Sequence, residues 1–527
     1  MQWLSLYPEW LLTHGPAALV VVPLMIGVLS ALNPSARLNW ATTLAVTGFC
    51  AYTALGLMIK VMGSGPVVYD MGNWPAPIGI VYRIDMLNAP FLLLIPIIGF
   101  ICTIYALRSV TAEIEPRKRA AFYAAFMVSF AGLMGMCVTG DTFNVFVFLE
   151  ISSLSTYTLV AMGSSRDRRA LSSAFNYLIM GSIGATFFVI GLGLLLMQTG
   201  TLNMADIARV LHEQGGDSRV THLAFAFILI GLGLKLAMFP LHSWLPGAYS
   251  YAPSFFTAFL AATATKAAIY LMLRFTFTIY DPNWAFVSHA LNPMLVGLAV
   301  LGMVFASLQA IFQTDMRRTL AFSSVAQVGY ILLGVGIATT LGFQAGVLHV
   351  FNHAMTKAAL FLAVGAFWYR YGITRISDMR GIGRTMPWTT GGFTLAGLSL
   401  IGVPGTVGFV SKLALLKAAA ANGWWWAVGV IVVSSIMALI YIGRMLEQAW
   451  LQPAPVVGGK PVAKNEAPIS MLVPLWVLAL SCWYFGINSH WTTFLAHRAA
   501  EVLSNGPILL EHLPDVMTHP DAVTGGH

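Results

Sequence analysis

Runs of about twenty consecutive apolar residues, the length at which an α-helix crosses the hydrocarbon core of a bilayer, recur along the whole chain. They fall at 11–32, 39–62, 89–108, 120–140, 143–163, 171–198, 220–246, 254–276, 291–312, 318–340, 344–370, 388–418, 424–446 and 467–488. In lipid each run must satisfy its backbone hydrogen bonds internally, which restricts the fold to helices. The expectation is an all-α polytopic membrane protein with about 14 transmembrane helices. Composition agrees: only 9% of residues are charged, against about 25% in soluble domains. The first Lys or Arg is Arg37, after the first run, so that run is expected to remain as helix 1 rather than act as a signal peptide.

The connectors orient the helices. Seventeen Lys and Arg residues fall in joins between an odd helix and the following even one, and seven on the opposite side. By the positive-inside rule the seventeen are cytoplasmic. Both termini then face outward, with the chain in the inner (plasma) membrane of the cell. The net charge of +8 is thus a topology signal. No Lys/Arg-rich run is interleaved with aromatics, which excludes nucleic acid as a partner. The four cysteines are scattered one per apolar run, with no zinc or iron–sulfur spacing. No Walker or dinucleotide fingerprint is present, so neither cofactor nor metal is expected. Residues 201–218 read as a short surface helix and loop. Residues 491–504 read as an amphipathic helix on the outer face, followed by a polar tail.

The remaining four cations, Lys235, Lys266, Lys357 and Lys412, lie inside apolar runs. Two of them reveal a repeat. The pattern Gly231-x3-Lys235-Leu236-Ala237 recurs 177 residues later as Gly408-x3-Lys412-Leu413-Ala414. At nearly the same offset Glu150 corresponds to Gln327 and Lys266 to Arg444. The implied units are helices 4–8 and 9–13. Five spans each is an odd number, so the two units have opposite orientations, as in transporters built from inverted repeats around discontinuous helices. Helix 7 carries Pro240, His242 and Pro246 after its lysine. Helix 12 carries Pro404, Gly405 and Gly408 before its own. Both are expected to be interrupted, which is tolerated at membrane depth only inside protein or along a wet cavity. The expected organisation is 1–119 (helices 1–3), 120–276 (first repeat, the proton-translocating half), 291–446 (second repeat) and 447–527 (helix 14, the amphipathic helix and the tail).

A charged side chain at mid-helix costs roughly 2.5–3.5 kcal/mol on insertion scales. This chain places Glu150, Lys235, Lys266, Lys357 and Lys412 there, with His349 and His353 nearby. Such residues mark proton relays, because desolvation favours the neutral form of each and so allows proton exchange. Glu150 paired with Lys235 would form a switch, followed by Lys266, the histidines and Lys412. His349, His353 and Lys357 are spaced i, i+4 and i+8, on one helix face. Two histidines so spaced could ligate a metal, but no third ligand is evident and Lys357 would repel a cation.

These residues resemble a known family. The segments YRIDMLNAPF (82–91), FVFLEISSLSTY (146–157), KLAMFPLHSWLPGAYSYAPS (235–254), TKAAIYLMLR (265–274), RRTLAFSSVAQVGY (317–330), HVFNHAMTKAALF (349–361) and GVPGTVGFVSK (402–412) are similar to the antiporter-like subunits shared by Mrp-type cation/proton antiporters and respiratory complex I. The similarity runs from about residue 80 to residue 450, and the chain looks most like the D-type Mrp subunits. The resemblance implies fourteen helices with two inverted five-helix repeats, and proton translocation. Glu150 and Lys235 match the family's ion pair, Lys266 its central relay lysine, and Lys412 its exit residue. Some relatives carry His at the position of Gln327, which itself holds no charge.

The expected function is a proton-translocating subunit of a multisubunit Na⁺/H⁺ antiporter, with other membrane subunits as partners and Na⁺ handled at the level of the complex. The alternatives are a proton-pumping subunit of a redox-driven complex (complex I or a membrane hydrogenase) and a subunit of an energy-coupled bicarbonate uptake system. The chain is expected to be an ion-transport subunit rather than an enzyme.

Overall fold

The computed structural model describes residues 2–216, 218–281, 284, 286–453, 456–457, 460–461 and 464–506. The expected polar tail from residue 507 lies outside the described residues. Nineteen α-helices dominate the described residues. The first six are α1 (Glu9–Leu32), α2 (Ala36–Ser64), α3 (Ala89–Glu113), α4 (Arg119–Val138), α5 (Thr142–Ala161) and α6 (Arg169–Thr199). Then come the short α7 (Met204–Glu213), α8 (Arg219–Lys235), α9 (Leu245–Tyr251), α10 (Ser254–Arg274), α11 (Asn292–Phe312), α12 (Met316–Gly336) and α13 (Thr340–Tyr371). The series ends with α14 (Ile382–Thr385), α15 (Pro387–Ile401), α16 (Val407–Ala421), α17 (Trp425–Trp450), α18 (Ile469–Ile487) and α19 (His490–Ser504). Two hairpins were not legible as strands: β1 (Val67–Asp70) with β2 (Val81–Ile84), and β3 (Val456–Val457) with β4 (Lys460–Pro461). Helices α7 and α19 match the short helices expected at 201–218 and 491–504.

Among the described residues, twelve helices are long and apolar enough to cross a membrane. The two expected spans missing from that set, 220–246 and 388–418, are the interrupted ones. The first divides into α8 and α9, the second into α15 and α16. The break after α8 starts earlier than Pro240. Lys235 ends the helix, and Ala237 takes a left-handed φ of 58° that turns the chain away. Pro240 lies within the irregular stretch, whereas Pro246 opens α9 in its first turn. There a missing N–H costs nothing, so Pro246 starts a helix rather than breaking one. The second break is made by Gly402 (φ 95°) and Gly405 (φ 88°), with Pro404 between them. Gly408 has another role. A Cβ on it would stand 1.7 Å from the Ser399 carbonyl oxygen, so glycine here lets the two half-helices touch.

Burial sorts the helices by chemistry. The apolar windows of α10, α12 and α13 are 100% buried, against 33% for α17 and α18 and 39% for α1 and α6. The three central helices carry Lys266, Gln327, His349, His353 and Lys357. Protein therefore encloses the charged positions, as a bilayer requires. The four cysteines are buried and unpaired.

Two backbone joints are built alike. Asp141 caps α5 by accepting from the Asn144 amide at 2.7 Å, and Asp315 caps α12 by accepting from the Arg318 amide at 2.9 Å. Each aspartate forms an isolated antiparallel bridge, Asp141 with Asn203 after α6 and Asp315 with Arg375 after α13. The flanking hydrogen bonds correspond: Thr142 N to Leu202 O and Met204 N to Gly140 O, against Met316 N to Thr374 O and Ile376 N to Thr314 O. A separate clamp holds the α9–α10 junction. The Glu113 carboxylate accepts from the Ser254 amide and from Arg166, while Arg317 donates to the Ala252 carbonyl and the Ser254 hydroxyl.

Replacing Gly408 by Ala is expected to lower stability by about 1–3 kcal/mol, through overpacking between α15 and α16. Gly193→Ala, with nothing within 4 Å of the added methyl, is expected to be neutral or slightly stabilising. Thermal unfolding of the detergent-solubilised protein reads the difference, and equal midpoints would refute the close-approach role of Gly408.

Candidate functional site

The first buried cation lies where α5, α6 and α8 meet. Helix α8 ends at Lys235, whose side chain is held inside by the turn that follows. Residue exposure there is 8%. Its ammonium donates to the Ser153 hydroxyl of α5, which in turn donates to the Leu149 carbonyl at 2.5 Å. The ammonium also lies over the Tyr177 ring, 5.9 Å from its centroid. Tyr177 stacks flat on Trp244 at 4.0 Å, and the Trp244 indole donates to the Leu234 carbonyl at 2.8 Å. Trp244 thus ties the far side of the break to the end of α8 and supports the ring beneath the lysine.

The expected direct Glu150–Lys235 ion pair is absent among the described residues. Glu150 lies one turn before Ser153 on α5, its Oε1 buried and without a hydrogen-bond partner. The two charges interact electrostatically across this gap, and Ser153 occupies the contact position. The same α5 face carries the exposed Phe143, Val147 and Leu154. The carboxylate therefore stands near a lateral surface of the protein. His242, in the break, stacks on Phe239 at 5.2 Å and leaves its Nδ1 unpartnered.

The central candidate residues lie in the buried wall. Lys266 is 0% exposed and donates to the Ala261 carbonyl at 2.5 Å and the Thr265 hydroxyl at 3.3 Å. Lys357, also 0% exposed, donates to the Leu320 carbonyl at 2.8 Å and to the Ser323 hydroxyl. Backbone and hydroxyl oxygens thus replace water as acceptors for ammonium protons. His349 is pinned at both ring nitrogens, Nε2 to Gln327 Oε1 at 2.8 Å and Nδ1 to Ser411 Oγ at 2.9 Å. His353, one turn along, has neither nitrogen partnered. The two rings are nearly parallel, 6.4 Å apart. Lys266 lies within electrostatic reach of His349, His353 and Lys357.

Lys412 is at the second break. From α16 it reaches back to the last carbonyls of α15, Leu400 at 3.0 Å and Ile401 at 2.8 Å. These carbonyls lack helical partners, and the C-terminal end of a helix favours a cation. Its ammonium lies over Tyr330, 5.1 Å from the centroid, and Tyr330 in turn contacts His349 at 5.4 Å. Beside it is a cavity of about 300 Å³ lined by Gly402, Lys412 and Ser435 among apolar neighbours. Exposed Ile436 and Leu439 on the cavity wall open it to the lateral surface. Arg444 stands apart from this row and donates to the carbonyls of Ile311 at 2.8 Å and Gln313.

The structure thus groups Glu150 with Lys235, and Lys266 with His349, His353, Lys357, Gln327 and Lys412. Sequence reasoning missed Ser153, Ser323 and Ser411, the hydroxyls that hold the cations and the imidazole, and Gly402, the hinge of the second break. The paired serines in FVFLEISSLSTY and RRTLAFSSVAQVGY were the available signal. Among the described residues no three His, Cys, Asp or Glu side chains cluster as metal ligands would.

Known proteins share this architecture. Residues 139–438 match the family described as NADH:quinone oxidoreductase/Mrp antiporter, TM. NADH-quinone oxidoreductase subunit N of Desulforudis audaxviator is 39% identical over 492 residues, covering 90% of this chain and 96% of that protein. The D-type Na(+)/H(+) antiporter subunit of Alkalihalophilus pseudofirmus is 34% identical over 366 residues, covering 69% and 72%. A chain in the structure of the Mrp complex from Dietzia sp. DQ12-45-1b superposes with a TM-score of 0.85 at 27% identity, over 95% of this chain and 98% of that one. The protein is therefore a polytopic membrane subunit belonging to the NADH:quinone oxidoreductase/Mrp antiporter family.

Proposed function

We propose that this chain is the proton-translocating subunit of a multisubunit Na⁺/H⁺ antiporter. Protons pass from Glu150 and Lys235 through Lys266, His353, His349 and Lys357 to Lys412, with water bridging the gaps. The observation that carries this reading is the row of buried ammonium and imidazole groups in α10, α13 and α16, most of them held by hydroxyls and carbonyls. Each holds an exchangeable proton, and none has a carboxylate bound to it among the described residues. A static structural role would favour paired charges, since an unpaired buried ion is costly.

The corresponding Asp141 and Asp315 joints support two five-helix repeats at 120–276 and 291–446. They also support a total of fourteen crossings once each broken pair is counted as one. Helix α4 packs on α5 and α10 as α11 packs on α12 and α17. Both ends of the row stand near lateral surfaces, which suits a subunit held between membrane partners. Orientation follows the arginine-rich connectors: both termini outside, in the plasma membrane.

A second reading is favoured by the 39% identical relative, whose name is that of an oxidoreductase subunit: the same relay serves a redox-driven complex. A Na⁺ jump imposed on vesicles separates them. Proton flux in response to Na⁺ alone supports the antiporter, and flux only with an electron donor supports the redox complex.

Glu150→Ala, Lys235→Ala and Lys412→Ala are expected to abolish cation-dependent proton flux in vesicles while the complex still assembles on native gels. Normal flux in all three would refute the relay. Lys266→Arg is expected to be as inactive as Lys266→Ala, because a guanidinium keeps its charge and does not release its proton. Full activity in Lys266→Arg would reduce that residue to a fixed charge. Ser153→Ala, which removes a hydrogen bond to a charged group, is expected to slow flux about tenfold. A tag at the C-terminus is expected to label from outside intact cells, and cytoplasmic labelling would overturn the helix count.

A further inference from the structure

Away from the relay, the loops after α5, α11 and α13 enclose two adjoining hollows. One, of about 260 Å³, is lined by Arg166, Arg169, Arg318 and Arg375 together with Asp167 and Asp315. The other, of about 430 Å³, shares Gln313 and Thr314 with it and adds Arg380 and Arg444. The two aspartates offset this field only in part, since four arginines line the hollow and Asp315 also acts on Arg169 and Arg317. Asp167 binds Arg169 through both carboxylate oxygens, and Asp315 caps α12. Arg166 is spent on Glu113. Arg318 and Arg375 are exposed, and their guanidiniums make no hydrogen bond or ion pair among the described residues. Arg444 uses its terminal nitrogens on two carbonyls, but its Nε is buried without a partner. A phosphate offers several charged acceptor oxygens to the exposed guanidiniums.

The hollows sit at the ends of α11 and α13, helices long and apolar enough to cross a membrane. From their rim an apolar stripe runs inward along α11. Phe312, directly before Gln313, is 73% exposed, followed by Leu308, Phe305 and Leu301 at helical spacing and all exposed. A charged hollow continuous with a lipid-facing stripe fits a molecule with an anionic head and an acyl tail. We propose that this site binds one anionic phospholipid, its phosphate held by Arg318 and Arg375 and its chain lying along α11. Basic pockets at the ends of membrane helices recognise such headgroups. A soluble phosphate would have no use for the stripe.

The test uses the complex purified from its own membranes and placed in nanodiscs of phosphatidylcholine containing a photoactivatable phosphatidylglycerol with its reactive group in the acyl chain. Labelling of the Leu301–Phe312 segment is expected. Arg318→Gln with Arg375→Gln should weaken it roughly thirtyfold, and the Lys pair at the same positions should restore most of it. Because both side chains are exposed, the variant is expected to fold, and its relay flux serves as the check. Undiminished labelling in the Gln pair overturns the proposal. So does competition by inorganic phosphate, which would mark a free-anion pocket, and so does absence of label with both arginines crosslinked to a partner subunit.

Discussion

A cation in the middle of a bilayer must be wrapped in protein, and much of this architecture follows from that demand. Desolvating an ammonium forfeits its water shell, so oxygen acceptors must be supplied from elsewhere. Regular helices have almost none to offer, because their carbonyls are already bonded to their own amides. The chain supplies acceptors in three ways. Carbonyls inside the unbroken α10 and α12 take an additional bond, as Ala261 and Leu320 do from Lys266 and Lys357. Serine and threonine hydroxyls project from neighbouring turns, as at Ser153, Thr265 and Ser323. Interrupted helices free the carbonyls of their last turn, as at Leu400 and Ile401. The wholly buried α10, α12 and α13 then screen the row from lipid.

The two breaks solve one problem from opposite directions along the chain. Lys235 is the last residue of its first half-helix, so the interruption follows it. Lys412 belongs to the second half-helix, so the interruption precedes it. Each ammonium ends near the C-terminal end of the first half, and each lies over a tyrosine ring, Tyr177 or Tyr330. The breaks are also secured differently. An indole, Trp244, spans the first, while the absence of a Cβ at Gly408 brings the halves of the second together.

Much of this was legible in sequence because the bilayer leaves few options. Apolar length placed the helices within a few residues, and lysines in apolar runs marked the row. Proline was a weaker guide. It flagged both interruptions but misplaced the first, where Ala237 takes the left-handed turn without any sequence signal. Charge complementarity associated Glu150 with Lys235 but did not show what lies between them. The geometry inserts Ser153, and a serine in a membrane helix is too common to stand out. The short hairpin of Val67–Asp70 and Val81–Ile84 escaped notice because four-residue strands carry little periodicity.

His353 has a consequence of its own. It stands among Lys266, Lys357 and His349, all of which carry positive charge when protonated, and neither of its ring nitrogens is claimed by a neighbour. Like charges close together in a low-dielectric wall repel strongly. In the proposed relay this makes the middle a single-lane bridge: a second charge is held back until the first has cleared. Throughput at high load is then governed at the far bank, where Lys412 meets the lateral cavity, and crowding at the entrance adds nothing.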